Sequence, residues 1–282
     1  MAFSLNALLP KRFRRDRPVI PVVRLSGAIG AVSAFRSGLS ISALEGPLER
    51  AFSIKAAPAV ALIVNSPGGS AVQSHLIFQR IRRLAEEKGK RVIVAVEDVA
   101  ASGGYFIALA GDEIIVDESS IVGSIGVVSA GFGFPRLLDK IGVERRVHTA
   151  GESKAMLDPF QPEREADVAR LLALQQDVHA TFIGLVKARR AGKLGDDPDL
   201  FSGAFWSGTR AVSLGLADRV GELRAVLRER YGENVRLRPI AIERSMIRRR
   251  LGLARSGFQV AGLLDQLVAT VEERLLWNRF GL

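Results

Sequence analysis

The sequence predicts an α/β fold on three consecutive observations. Residues 59 to 64 form an unbroken apolar run, which reads as a strand covered on both faces. An amphipathic segment follows, with Val72, Ile77, Ile81 and Leu84 at nearly helical spacing and Gln79, Arg80, Arg82 and Arg83 on the opposite face. A further strand, Arg91 to Val96, comes after Gly89. Strand, helix, strand in that order implies parallel pairing through a right-handed crossover.

The other elements extend this pattern. Val19-Ile20-Pro21-Val22-Val23-Arg24-Leu25 is an extended segment ended by Ser26-Gly27, and a connection rich in glycine and serine follows. Residues 105 to 110 suit a short apolar helix, residues 113 to 116 a strand, and glycines punctuate the chain to Val128. A long helix is predicted over 163 to 191, with Pro162 before it and Leu171, Leu174, Val178, Phe182 and Leu185 three or four apart. Val260, Leu264, Leu267, Val271 and Leu275 repeat that stripe near the C-terminus, which must pack on the core, on a neighbouring subunit or on a bilayer surface. No period of 20 to 50 residues marks a solenoid. The expected division is a basic tail at 1–17, one domain at 18–238 and an arginine-rich amphipathic helical tail at 239–282.

Composition narrows the function. The 282 residues are 48% hydrophobic and 25% charged, the range of an ordinary globular protein with room for one large core or two small ones. There is no cysteine, which excludes disulfides, thiolate nucleophiles and sulfur-bound zinc. The net charge is +10, but residues 11–17 carry +4 of it and residues 244–255 carry +5. Positive charge held at two short ends suits an anionic membrane surface or an acidic partner, whereas a nucleic-acid groove needs it spread over the fold. Solvated arginines that keep an oligomer soluble explain it equally well. The longer uncharged stretches are broken by turn residues, and the apolar start of the chain precedes its positive charges, the reverse of a signal peptide. The expectation is a cytoplasmic protein, with peripheral contact at the inner face of the cell membrane left open.

Three turns rich in glycine and serine follow the buried strands: Asn65-Ser66-Pro67-Gly68-Gly69-Ser70, Ala101-Ser102-Gly103-Gly104-Tyr105 and Gly123-Ser124-Ile125-Gly126-Val127. A strand feeding a helix start exposes free N–H groups, and glycine lets a substrate approach them closely. Ser102, followed by two glycines and an apolar helix, has the setting of an exposed nucleophile, although Ser-Gly-Gly alone is more often a turn or a helix cap.

Together with Gly151-Glu152-Ser153-Lys154-Ala155-Met156-Leu157-Asp158-Pro159-Phe160 and the stretch from Trp206 to Asp218, these segments resemble the signal peptide peptidase A family, the protease IV or S49 serine peptidases. The likeness covers most of residues 18 to 222. It implies a Clp/crotonase-like spiral of repeated β-β-α units with a helical C-terminal extension. It implies Ser102 as nucleophile, Lys154 as general base, Ser124 as the hydroxyl that orients the amine, and Gly68, Gly69 and Gly103 as the oxyanion- and substrate-binding backbone. Ser153 departs from the family pattern, in which an aromatic residue is commoner there.

The chemistry of that set is self-consistent. A serine hydroxyl needs a neutral base beside it, and making an amine serve near pH 7 requires about 3 to 5 kcal/mol of destabilisation of its ammonium form. Burial supplies an effect of that order, so the base is expected to be buried. Of the histidines, His75 and His179 read as ordinary helix residues. His148 lies near Lys154 but outside any segment like that of the Clp histidine, and no pair has metal-ligand spacing. No metal and no cofactor is expected. The partners expected are unfolded or short apolar peptides, such as signal peptide remnants, and further copies of the chain, with no nucleic acid. Two alternatives stay open: a crotonase-type enzyme acting on acyl-CoA thioesters, and a non-catalytic membrane-associated scaffold.

Overall fold

The computed structural model describes residues 17–30, 38–242, 271 and 274–282. All but Arg17 of the first basic segment, the whole of the second, and Val260, Leu264 and Leu267 of the C-terminal stripe lie outside the described residues. In chain order the elements are β1 (Val19–Ser26), α1 (Ile41–Phe52), β2 (Ala59–Ser66), α2 (Ala71–Lys88), β3 (Arg91–Ala101), α3 (Gly103–Ala108), β4 (Glu113–Val116), β5 (Ile121–Gly123), α4 (Pro135–Ile141), α5 (Glu165–Arg189), β6 (Phe205–Ser207), α6 (Gly208–Ser213), β7 (Arg219–Val220), α7 (Leu223–Tyr231) and β8 (Arg236–Ile240).

The strands form one eight-stranded sheet, the α/β architecture expected, with main path β6-β5-β3-β2-β1-β8. Every pairing is parallel except that of β5 with β6. Alternation along the strands explains the layers. Val60, Leu62 and Val64 of β2 face the larger core, beneath α1, α2 and α3. Ala59 and Ala61 face the other side, where Leu223, Val226 and Leu227 of α7 cover them. Ser70 caps α2 by accepting from the Gln73 N–H, and Gly89 ends it in the left-handed conformation, φ 58°. Strand β8 crosses the division drawn at 238 from the sequence, pairing Val22 with Pro239 and Val23 with Ile240.

The sheet forks within β3. Its first half pairs with β4, and β4 with β7; its last three residues pair with β5. Between the halves the register slips, since Val64 pairs with Val96 but Ser66 with Ala100. The extra residues bulge outward, and Asn65 satisfies them: its Nδ2 donates to Asp98 Oδ2 at 2.6 Å and its Oδ1 accepts the Val99 N–H at 3.3 Å. This bulge redirects the end of β3 and with it the residue that follows, Ser102.

Helix α5 differs from expectation. Its stripe is buried only near the C-terminal end, at Phe182 and Val186. Leu172 and Leu174 are exposed, and α4 buries no residue at all. The segment from about residue 128 to 164 is thus an arm that adds little to the core.

Candidate active site

Ser102 stands between β3 and α3 with φ 51° and ψ −120°. A side chain at positive φ costs on the order of 1–3 kcal/mol and persists only where the surroundings hold it. Here the Ser102 N–H donates to Gly123 O at 2.8 Å, and the Ser102 carbonyl accepts the Phe106 N–H at 2.9 Å. The side chain therefore stands at the mouth of α3, half-buried. The Ala101–Gly123 pairing brings the residues that follow, Ser102 and Ser124, to neighbouring strand ends. Ser124 is buried, also at positive φ (53°), and its N–H donates to Ala204 O at 2.7 Å. His179, read from the sequence as an ordinary helix residue, reaches from α5 to lie 3.0 Å, through Nε2, from the carbonyl of Ile125 and so fastens the turn after Ser124.

The Gly68-Gly69 turn packs against this serine. A Cβ on Gly68 would lie 2.9 Å from Ala101 O and Ser102 Cβ, so no larger residue fits. The Ile29 N–H donates to Gly68 O and the Ser70 N–H to Ile29 O, each at 2.8 Å. Because both groups flanking Gly69 are engaged by Ile29, the Gly69 N–H points the opposite way, towards α3. A Cβ built on Gly103 would be 3.4 Å from that nitrogen, and one built on Gly68 would be 3.0 Å from the Gly103 nitrogen, so both glycine nitrogens lie close together beside Ser102. Such a pair of donors at a helix mouth suits a developing oxyanion.

Behind the site, Tyr105 is fully buried and donates to Leu216 O at 2.9 Å; burial pushes its phenol well above its ordinary value. Buried Arg190 donates to Gly215 O and to Asp218, which also pairs with Lys193 at 2.7 Å and accepts the Ile114 N–H at 2.7 Å. Burial opposes ionisation of Asp218, but these donors outweigh it and hold the carboxyl below the usual range. The Trp206-to-Asp218 motif is thus what anchors the rear of α3 and β4.

Lys154 corrects an expectation. It lies in a turn of the arm, its N–H donating to Gly151 O at 3.2 Å, and its side chain is exposed. Within one chain it is not the buried amine anticipated. His148, on the same arm, is also exposed, and His75 packs on Phe106 at 5.5 Å as a core-edge aromatic. Among the described residues, no group of three or more acidic or histidine side chains could hold a metal ion. Asn65, Ser66 and Tyr105 stood in the sequence only as members of the glycine turns; Asn65 and Tyr105 find partners 33 residues or more away, and Ser66 Oγ accepts the Gly68 N–H at 3.2 Å.

The sequence profile of peptidase family S49 matches residues 85–235. The chain belongs to this family. Its relatives agree: a protein of Synechocystis sp. that carries a protease name is 30% identical over 231 residues, covering 80% of this chain and 81% of that one. The chloroplastic serine protease SPPA of Arabidopsis thaliana is 32% identical, over 76% of this chain and 34% of that protein. A Brucella abortus protein named Na(+)/H(+) antiporter NhaA is 58% identical over 99% of this chain, yet this chain spans only 39% of it. The antiporter name thus describes a longer protein, of which this S49 chain matches one part. Among the described residues, no helix is long and apolar enough to cross a membrane.

Proposed function

We propose that this S49 chain is a serine endopeptidase in which Ser102 is the nucleophile and Lys154 the general base. Ser102 Oγ attacks the peptide carbonyl and its proton passes to the Lys154 amine. The tetrahedral oxyanion rests on the N–H groups of Gly69 and Gly103, with Gly68 keeping the turn close to Ser102. Collapse expels the amine product, which takes the proton back from Lys154, and a water activated by the same lysine hydrolyses the acyl-enzyme. Ser124, one strand from the nucleophile, orients the lysine. The observation that carries this reading is the positive-φ Ser102 packed against the Gly68-Gly69 turn and followed by Gly103.

The exposure of Lys154 calls for a covering surface, and the arm supplies a reason for one. Phe132, Leu137, Ile141 and Val143 are all more than half exposed, an apolar surface that a second copy of the chain would bury. In that assembly the amine is desolvated and the site is closed to folded proteins. Substrates are then unfolded or short apolar peptides, such as signal peptide remnants. The basic ends, at residues 11–17 and 244–255, suit an anionic membrane. The match of nearly the whole chain to part of proteins named as antiporters supports a place beside membrane proteins.

The test is hydrolysis of an apolar peptide ester by S102A and K154A. Both abolish it while the fold is kept, and a mixture of the two regains part of the activity if neighbouring copies complete each other's sites. Full activity in K154A refutes the dyad.

A further inference from the structure

The arm that carries Lys154 has its own small framework, independent of the sheet. Asp158 is only 6% exposed in its side chain, and its Oδ2 lies 2.9 Å from the Arg145 guanidinium, an ion pair by distance without hydrogen-bond alignment. The Arg145 guanidinium also lies over the Phe160 ring, 4.7 Å from its centroid. Phe160 stacks at 5.5 Å on Phe134, whose N–H donates to Pro159 O at 2.6 Å. Asp158 Oδ1 accepts the Phe160 N–H at 3.1 Å. These contacts tie the incoming leg of the arm, the leg after α4 and the Asp158-Pro159-Phe160 segment to one another. The Lys154 turn is suspended between them, closed by the Lys154-to-Gly151 bond and a Met156-to-Ser153 bond of 3.3 Å. It ends at Leu157, a non-glycine residue at φ 57° immediately before Asp158. Strained backbone of this kind holds only where its neighbours fix it, and the neighbour here is the Arg145-clamped aspartate.

We propose that Arg145 is a positioning residue: through Asp158 and Phe160 it sets the conformation of the 151–157 turn and so the direction in which Lys154 is presented. This rests on Lys154 being the base. The planar guanidinium pairs with the carboxylate and covers the aromatic ring together, which a lysine cannot do. Because α4 buries no residue, loss of the clamp loosens the arm without opening the core.

The experiment compares R145M, R145K and K154A in peptide-ester hydrolysis, phosphonate labelling of Ser102 and thermal melting. R145M lowers kcat about 100-fold, the scale of a misplacement of about 1 Å at a catalytic group. KM stays within about twofold and the main melting transition is unchanged. Phosphonate labelling slows by the same factor, and R145K, which keeps the charge but not the planar group, lies between. If K154A is inactive but R145M keeps kcat within about threefold, or loses activity only through KM or melting, the clamp is refuted and the dyad stands. If K154A is fully active, the dyad itself fails.

Discussion

Replacing Ser102 by glycine is expected to stabilise the protein while destroying its activity. The serine sits at φ 51° and ψ −120°, where a Cβ costs about 1–3 kcal/mol. Glycine removes that cost but gives up about 0.5–1 kcal/mol of extra freedom in the unfolded chain. The net expected gain is about 1 kcal/mol, or about 3 °C in Tm for a domain of this size. Ser102→Ala is the control, because it removes the hydroxyl and keeps the Cβ. Its Tm should stay near that of the parent, since among the described residues Ser102 Oγ makes no hydrogen bond. Calorimetry on the parent and both variants, with peptide-ester hydrolysis alongside, reads both consequences. A glycine variant no more stable than the alanine variant refutes the claim that the backbone here is strained. Hydrolysis retained in either refutes the nucleophile.

Gly69→Ala places a methyl group into the backbone of Ile29 at φ 140°; kcat should fall about 100-fold as the donor turns away, with a smaller effect on KM, measured by steady-state kinetics. Asn65→Ala leaves the Val99 N–H buried without its partner. This should cost about 1–3 kcal/mol in chemical denaturation and lower kcat as well, because the bulge aims Ser102. Asp218 has a folded-state pKa held below its unfolded value, so its contribution is present above about pH 4 and is lost as pH falls further. Asp218→Asn, which leaves buried Arg190 without its carboxylate, should cost roughly 3 kcal/mol at pH 7 and flatten that acid loss, read from denaturation midpoints across pH.

The parts of the fold that were legible in the sequence are those in which the signal is local. Strand β2 showed itself as an apolar run because both of its faces are covered, and α2 showed itself by its apolar spacing and the glycine that ends it. Helix α1 did not, because Gly46 and Pro47 read as breakers; burial of Leu44, Leu48, Ala51 and Phe52 outweighs that propensity. The stripe on α5 misled in the other direction, since helical periodicity reports a face that needs cover without saying that this chain covers it. At the site, Ser102 and the glycines stand in contiguous motifs. The fork in β3 cannot be read from spacing, because its cause is a contact between Asn65 and a strand 33 residues later. Nor does the family likeness say whether Lys154 is buried, since burial depends on what lies beyond the arm.

This contrast bears on how the enzyme proposed here would be controlled. The serine half is held by ladder bonds, the Asn65 bulge and the Tyr105 anchor, all supplied by the sheet and the core of one chain. The lysine half is held only by contacts within an arm whose helix buries nothing. In a lone chain Ser102 is held in place while Lys154 stands open to solvent. Covering the arm would desolvate the amine and complete the site in one event, which ties peptide hydrolysis to assembly. Activity per chain should then rise with protein concentration, whereas the Tm contribution of the Ser102 strain should not.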